Sequence, residues 1–391
     1  MIRAPVVAGA LLLLTTAIPL APPARGAQAP VPLPPKSTGP VSKLVAFWTA
    51  DLPAPPLPAA ACNGAQVYVA LRNGRLVALS LTSGQQRWEA ELAPSWAPAA
   101  GDGLVFVGAQ QSILALSASD GSVQWRVPIS SDLSAPLLWD TGWLLGGTEH
   151  GDLIAIRARD GEKLWQQPVG SPVRATPALA ADRVYVSLAD GRVVALELQT
   201  GNTVWERKLG DTPTDILALD DRLFVGSKDN YFYCLARKNG KVKWRWRTGG
   251  DIVGMPAIDR QRVYFLSLDN LLRALDRGNG NQRWKVPLGT RPSSSPIEYD
   301  GTLLVAGLTG EIRAYSAKDG APAGGLAAPA EFAAPPLLTA ATSSIGRALV
   351  VVTGPGQVVA YRPGDAPLIS HPLPNLAPQL PLPLISSSLA E

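Results

Sequence analysis

The chain has 391 residues, 46% of them hydrophobic and 17% charged, with a formal charge of +4 at pH 7. So small a net charge excludes a protein whose overall field drives it onto nucleic acid or an anionic membrane. Glycine and proline, at 37 residues each, argue against long helices and for many short strands joined by tight turns.

The chain opens with the pattern of a secretory leader. Arg3 gives a basic start, residues 6–14 form an apolar run, and Pro19 precedes the small-residue stretch Ala24-Arg25-Gly26. The run is shorter than the roughly 20 residues that span a bilayer, so a cleaved leader over 1–26 is expected and not a membrane anchor. Cleavage after Ala29 fits the small-residue rule too, but Pro30 would then follow the cut. Arg3 and Arg25 would leave with the leader and take two positive charges with them. The first cysteine is Cys62, far from either cleavage point, so no lipid attachment is expected. Residues 27–42 read as a Pro-rich linker, and 366–391, with Pro372, Pro374, Pro378, Pro381 and Pro383, as a Pro-rich tail.

Between them lies a repeat. Trp48, Trp88, Trp125, Trp165, Trp205, Trp244 and Trp284 are spaced by 40, 37, 40, 40, 39 and 40 residues. Four residues before each of the last six stands a glycine: Gly84, Gly121, Gly161, Gly201, Gly240 and Gly280. Gly320 extends the series to a unit in which Gly324 replaces the tryptophan. Within one unit, 183–205, a strand leads through Asp190-Gly191 to a second strand and then through Gly201 to a third. The Asp190-Gly191 pair predicts a type I′ hairpin; Asn73-Gly74, His150-Gly151, Asp229-Asn230 and Asp269-Asn270 occupy the same place. A further inner strand fits before each unit, near Pro177 or Pro256.

Eight units of about 40 residues predict an all-β fold over 43–365, an eight-bladed β-propeller of four-stranded antiparallel blades, with seven blades as the alternative. The recurring tryptophans are expected to dock between consecutive blades. The last unit lacks an outer strand, and residues 43–50 are expected to supply it; the alternative is the stretch around His371. The count is least secure over 321–346.

The aromatic strand, Asp-Gly turn, Val-x-Ala-Leu strand and Gly-x-x-x-Trp motif together resemble the PQQ-like repeat of quinoprotein dehydrogenases and of BamB, over about residues 43–362. The resemblance implies a propeller, but one such fold hosts both redox enzymes and binding scaffolds. A quinoprotein dehydrogenase is implied to need adjacent cysteines, a calcium ligand set and large insertions. This chain has only Cys62 and Cys234, expected as free thiols in different blades, and its repeats leave no room for insertions. No enzyme activity, cofactor or metal site is therefore expected. The histidines, His150 and His371, fall in a turn and in the tail. Resemblance to BamB implies a periplasmic or secreted, monomeric scaffold that docks on the periplasmic domains of BamA during outer-membrane protein assembly. A binding propeller with another partner stays open, as does, more remotely, a PQQ-dependent dehydrogenase.

The loops entering the inner strands carry one polar or aromatic residue per successive blade: Trp96, Asp132, Arg174, Asp215, Asp251 and Arg291. In a propeller these loops converge on one mouth of the central channel, so this set is the candidate partner-binding surface. Polarity of surface turns in general explains the same residues without a ligand.

Overall fold

The computed structural model describes residues 44–219, 221–339, 347–363 and 369–371, all within the unit Pro34–Glu391. The expected leader and linker lie outside these residues, as does the expected tail except for 369–371. Alternating apolar residues set the local structure: in Arg192–Glu197 the run Val193-Val194-Ala195-Leu196 is buried on both faces, as a strand sandwiched between neighbouring sheets must be. Seven sheets each contain four antiparallel strands in sequence order. We number them as blades I (56–91), II (99–128), III (138–168), IV (178–208), V (213–247), VI (252–287) and VII (297–327).

Blade VIII closes the ring. Leu337–Leu338, Leu349–Val352 and Gln357–Pro363 are completed by the N-terminal strand Leu44–Asp51, which pairs antiparallel with the third of them. The residues around His371 are not the closing strand. Ile369–His371 instead runs parallel along the outer side of Leu44–Asp51, from Trp48 to Ala50, as a fifth strand. The eight-blade count holds and the seven-blade alternative does not.

The hairpins depart from the expected turn type. Only the second turn residue, such as Gly74, Gly151, Gly191, Asn230 or Asn270, has positive φ. At Asp190 the carboxylate accepts the Arg192 N–H at 3.1 Å, while Gly191 N–H bonds the Leu188 carbonyl. This side-chain cap on a wider turn leaves the aspartate in ordinary backbone space. Positive φ at both turn residues is found in the corresponding hairpin of blade II, at Gln110 and Gln111, and in the hairpins between first and second strands at Asp102-Gly103, Thr141-Gly142 and Asp300-Gly301.

The tryptophans lock each blade to the next. In blades I–VI the docking indole stands opposite a small residue of the third strand, from Ala78–Trp88 to Ala274–Trp284, and the register slips by one residue there. Its indole N–H crosses to a carbonyl of the following blade, from Trp48 to Leu81 and on to Trp284 and Ala317, at 2.8–3.4 Å. Three residues beyond each acceptor lies the motif glycine, under the ring. A Cβ at Gly84, Gly121, Gly161, Gly201, Gly240, Gly280 or Gly320 would stand 2.6–2.9 Å from the neighbour's tryptophan or, at Gly320, equally close to Val286. Their φ values of +64° to +78° select glycine a second time. The glycine in each Gly-x-x-x-Trp therefore receives the tryptophan of the preceding blade, not its own.

Candidate functional site: the channel mouth

The loop from each outer strand to the next inner strand and the hairpin between second and third strands meet at one end of the blade. Short backbone bonds tie them: Glu149 N–H to Asp132, Ala189 N–H to Pro172, Lys228 N–H to Thr212 and Leu268 N–H to Asp251, at 2.8–3.0 Å. Isolated bridges such as Leu133 with Thr148 and Val173 with Leu188 reinforce the attachment. The side chains of this rim thus sit on a braced frame.

Three of the six nominated residues share one concavity. Arg174, Asp215 and Asp251 line a cavity of about 440 Å³ at the edge of blades IV, V and VI, together with Lys228, Thr212 and Thr214. Arg174 is exposed and also pairs with Glu149 at 3.1 Å. Asp215 is half-buried, and that burial raises its carboxyl above the usual aspartate value. The neighbouring Thr214 hydroxyl is buried with no hydrogen-bond partner. An incoming group that bonds the Asp215 carboxyl would relieve a cost already present in the free protein.

The other three lie apart from this cavity. Trp96 is half-buried and donates its indole N–H to the Leu133 carbonyl at 2.8 Å, packing with the apolar cluster of blades II and III; it is a wedge more than an open surface. Asp132 and Arg291 are exposed and do not line the cavity. Lys228, which sequence reasoning missed, precedes the hairpin turn of blade V. The residues in that place run Arg72, Glu149, Ala189, Lys228 and Leu268 in blades I, III, IV, V and VI. That second periodic series carried the signal.

The residues present do not fit a quinone site of the dehydrogenase kind. Cys62 and Cys234 are free thiols in blades I and V, each pushed up to about 11 by burial. Among the described residues no three His, Cys, Asp or Glu side chains converge as metal ligands. No helix among them is long and apolar enough to cross a membrane.

Comparison with known proteins agrees with this geometry. The crystal structure of BamB from Moraxella catarrhalis superimposes with a TM-score of 0.65 at 20% identity, covering 82% of this chain and 97% of that one. The quinohemoprotein alcohol dehydrogenase of Comamonas testosteroni gives 0.69 at 14% identity, over 84% of this chain and 78% of its own; both likenesses show the fold alone. The outer membrane protein assembly factor BamB of Yersinia pestis is 26% identical over 110 residues, 27% of this chain and 28% of the relative's length. The family model described as outer membrane protein assembly factor BamB matches residues 109–218 and 214–363, and with most of the propeller so covered the chain belongs to the BamB family.

Proposed function

We propose that this protein is a non-enzymatic, extracytoplasmic scaffold that docks a protein component of outer-membrane assembly at its channel mouth. The observation that carries the reading is the cavity at blades IV–VI. There Asp215, Asp251, Arg174 and Lys228 place charges of both signs around one concavity. Such an arrangement suits a polar loop of a protein, whose own charged and amide groups can satisfy each position, better than a small apolar ligand. The leader over 1–26 would deliver the chain across the inner membrane, and family membership supplies the class of partner.

The test is affinity capture of the tagged mature protein from cross-linked envelopes, with mass spectrometry and an absorption spectrum of the eluate. The reading predicts recovery of a barrel-assembly protein with wild type, its loss with Asp215→Arg plus Asp251→Arg, and no quinone band. A different partner lost with the same variant would favour a binding propeller outside barrel assembly. Stoichiometric quinone would overturn the non-enzymatic reading.

A further inference from the structure

Every blade of a propeller presents the outer edge of its fourth strand, where backbone groups lack a partner strand. Eight such edges surround this ring, and they differ. The edges of blades II, III and VI end in Pro128, Pro168 and Pro287, and that of blade VII begins with Pro322. Proline removes an N–H and discourages pairing. Blade VIII carries Ile369–His371 along its edge, from Trp48 to Ala50. The fold therefore accommodates an added strand at this place, even beside the register slip between Ala46 and Trp48.

Among the described residues, three edges remain without proline or a covering strand. In blade I the outward charges after the docking tryptophan are Glu89 and Glu91, and Glu89 is held by Arg75 at 2.6 Å. In blade IV they are Glu206, paired with Arg192 at 2.9 Å, and Lys208. Blade V differs from both. Its outer strand, Val242–Arg247, alternates exposed Arg245 and Arg247 with half-buried Trp244 and Trp246. Arg245 lies over the Tyr231 ring at 4.7 Å, which fixes its place on the edge. Residues 237–247 contain six lysines and arginines and no acidic residue.

We infer that the outer edge of blade V binds an acidic, extended peptide segment by strand addition along Trp244–Arg247, whose first three residues correspond to the covered stretch Trp48–Ala50 of blade VIII. Carboxylates on one face of the added strand meet Arg245 and Arg247, and apolar residues on the other meet Trp246 and the part of Trp244 left exposed by its dock on blade VI. Lys243 on the same strand is paired with Asp221, but among the described residues no carboxylate pairs with Arg245 or Arg247, and their charge repels a second copy of the same edge and selects an acidic strand. This surface is separate from the channel mouth, so the inference stands or falls independently of the docking reading above.

The test uses the mature full-length protein and a short fluorescein-labelled peptide that alternates glutamate with valine, followed by fluorescence anisotropy. Binding is expected with wild type, weakening as salt screens the charges. A loss of roughly tenfold or more is expected with Arg245→Glu plus Arg247→Glu, the fold being checked by thermal unfolding. A peptide of the same sequence with N-methylated backbone serves as a probe that needs no protein variant, and it should not bind. Equal binding of the N-methylated peptide, undiminished binding by the double variant, or binding of wild type to phosphatidylglycerol vesicles but not to the peptide would each overturn the inference.

Discussion

Seven junctions of the ring are built one way and the eighth another. From VIII–I to VI–VII, an indole rests on a glycine and bonds a carbonyl of the next blade. At VII–VIII the outer strand of blade VII has Gly324 and Gly325 where the tryptophan would be. That interface is held instead by an apolar cluster without tryptophan that includes Leu304, Ile312, Leu349, Val351 and Tyr361. The indole lock combines a large buried area with a directional bond, and so fixes both the spacing and the register of two sheets. Among the described residues the VII–VIII junction has no such indole bond. Closure is thus firmer at Trp48, the most buried of the docking indoles, than one blade earlier.

The contrast can be broken by substitution. Trp48→Ala removes a fully buried ring at the closing strand and should cost about 3–5 kcal/mol in chemical denaturation. Gly201→Val, at φ +74° and 2.7 Å from Trp165, should cost about 1–3 kcal/mol or more. Leu304→Val at the VII–VIII junction should cost only about 1 kcal/mol, and native-state hydrogen exchange should show blade VII strands opening before those of blade V.

Acid sharpens the same comparison. Burial acts upward on the Asp269 carboxyl, but bonds from Arg273, Ser267 and the Gly249 N–H outweigh it and hold the group down to about 2. Its folded pKa lies below the unfolded one, so its contribution is present above the usual aspartate range and is lost as pH falls toward 2. Protection of the Gly249 N–H, in the V–VI connection, taken relative to its intrinsic exchange rate, should therefore fall in acid and lose that pH dependence in Asp269→Asn. Asp215 has the opposite sign: its raised carboxyl weighs against folding above its folded pKa and contributes nothing in strong acid. Asp215→Asn should raise Tm slightly at pH 7 and leave it unchanged at low pH.

The tryptophan spacing made the ring and the closing role of residues 43–50 legible, because a docking residue must recur once per blade. Spacing alone did not reveal that Gly201 receives Trp165 and not Trp205; that pairing depends on how adjacent sheets stack. The turn type was misread because Asp190 caps the backbone with its side chain, which dipeptide preference does not encode. Loop position nominated Arg174, Asp215 and Asp251 together with three residues that line no common cavity with them; which of the six share a concavity depends on how blades IV–VI pack. Lys228 was overlooked because it sits beside a turn read only for geometry.

The docking reading is tested most directly by placing a photo-cross-linking amino acid in vivo at Lys228, inside the mouth, and separately at Asn239, an exposed turn residue at the opposite end of blade V. The account predicts an adduct with a barrel-assembly protein from position 228 and none from position 239. An adduct from 239 alone, or no adduct at 228 while the partner co-purifies, would place the docking surface elsewhere and contradict it.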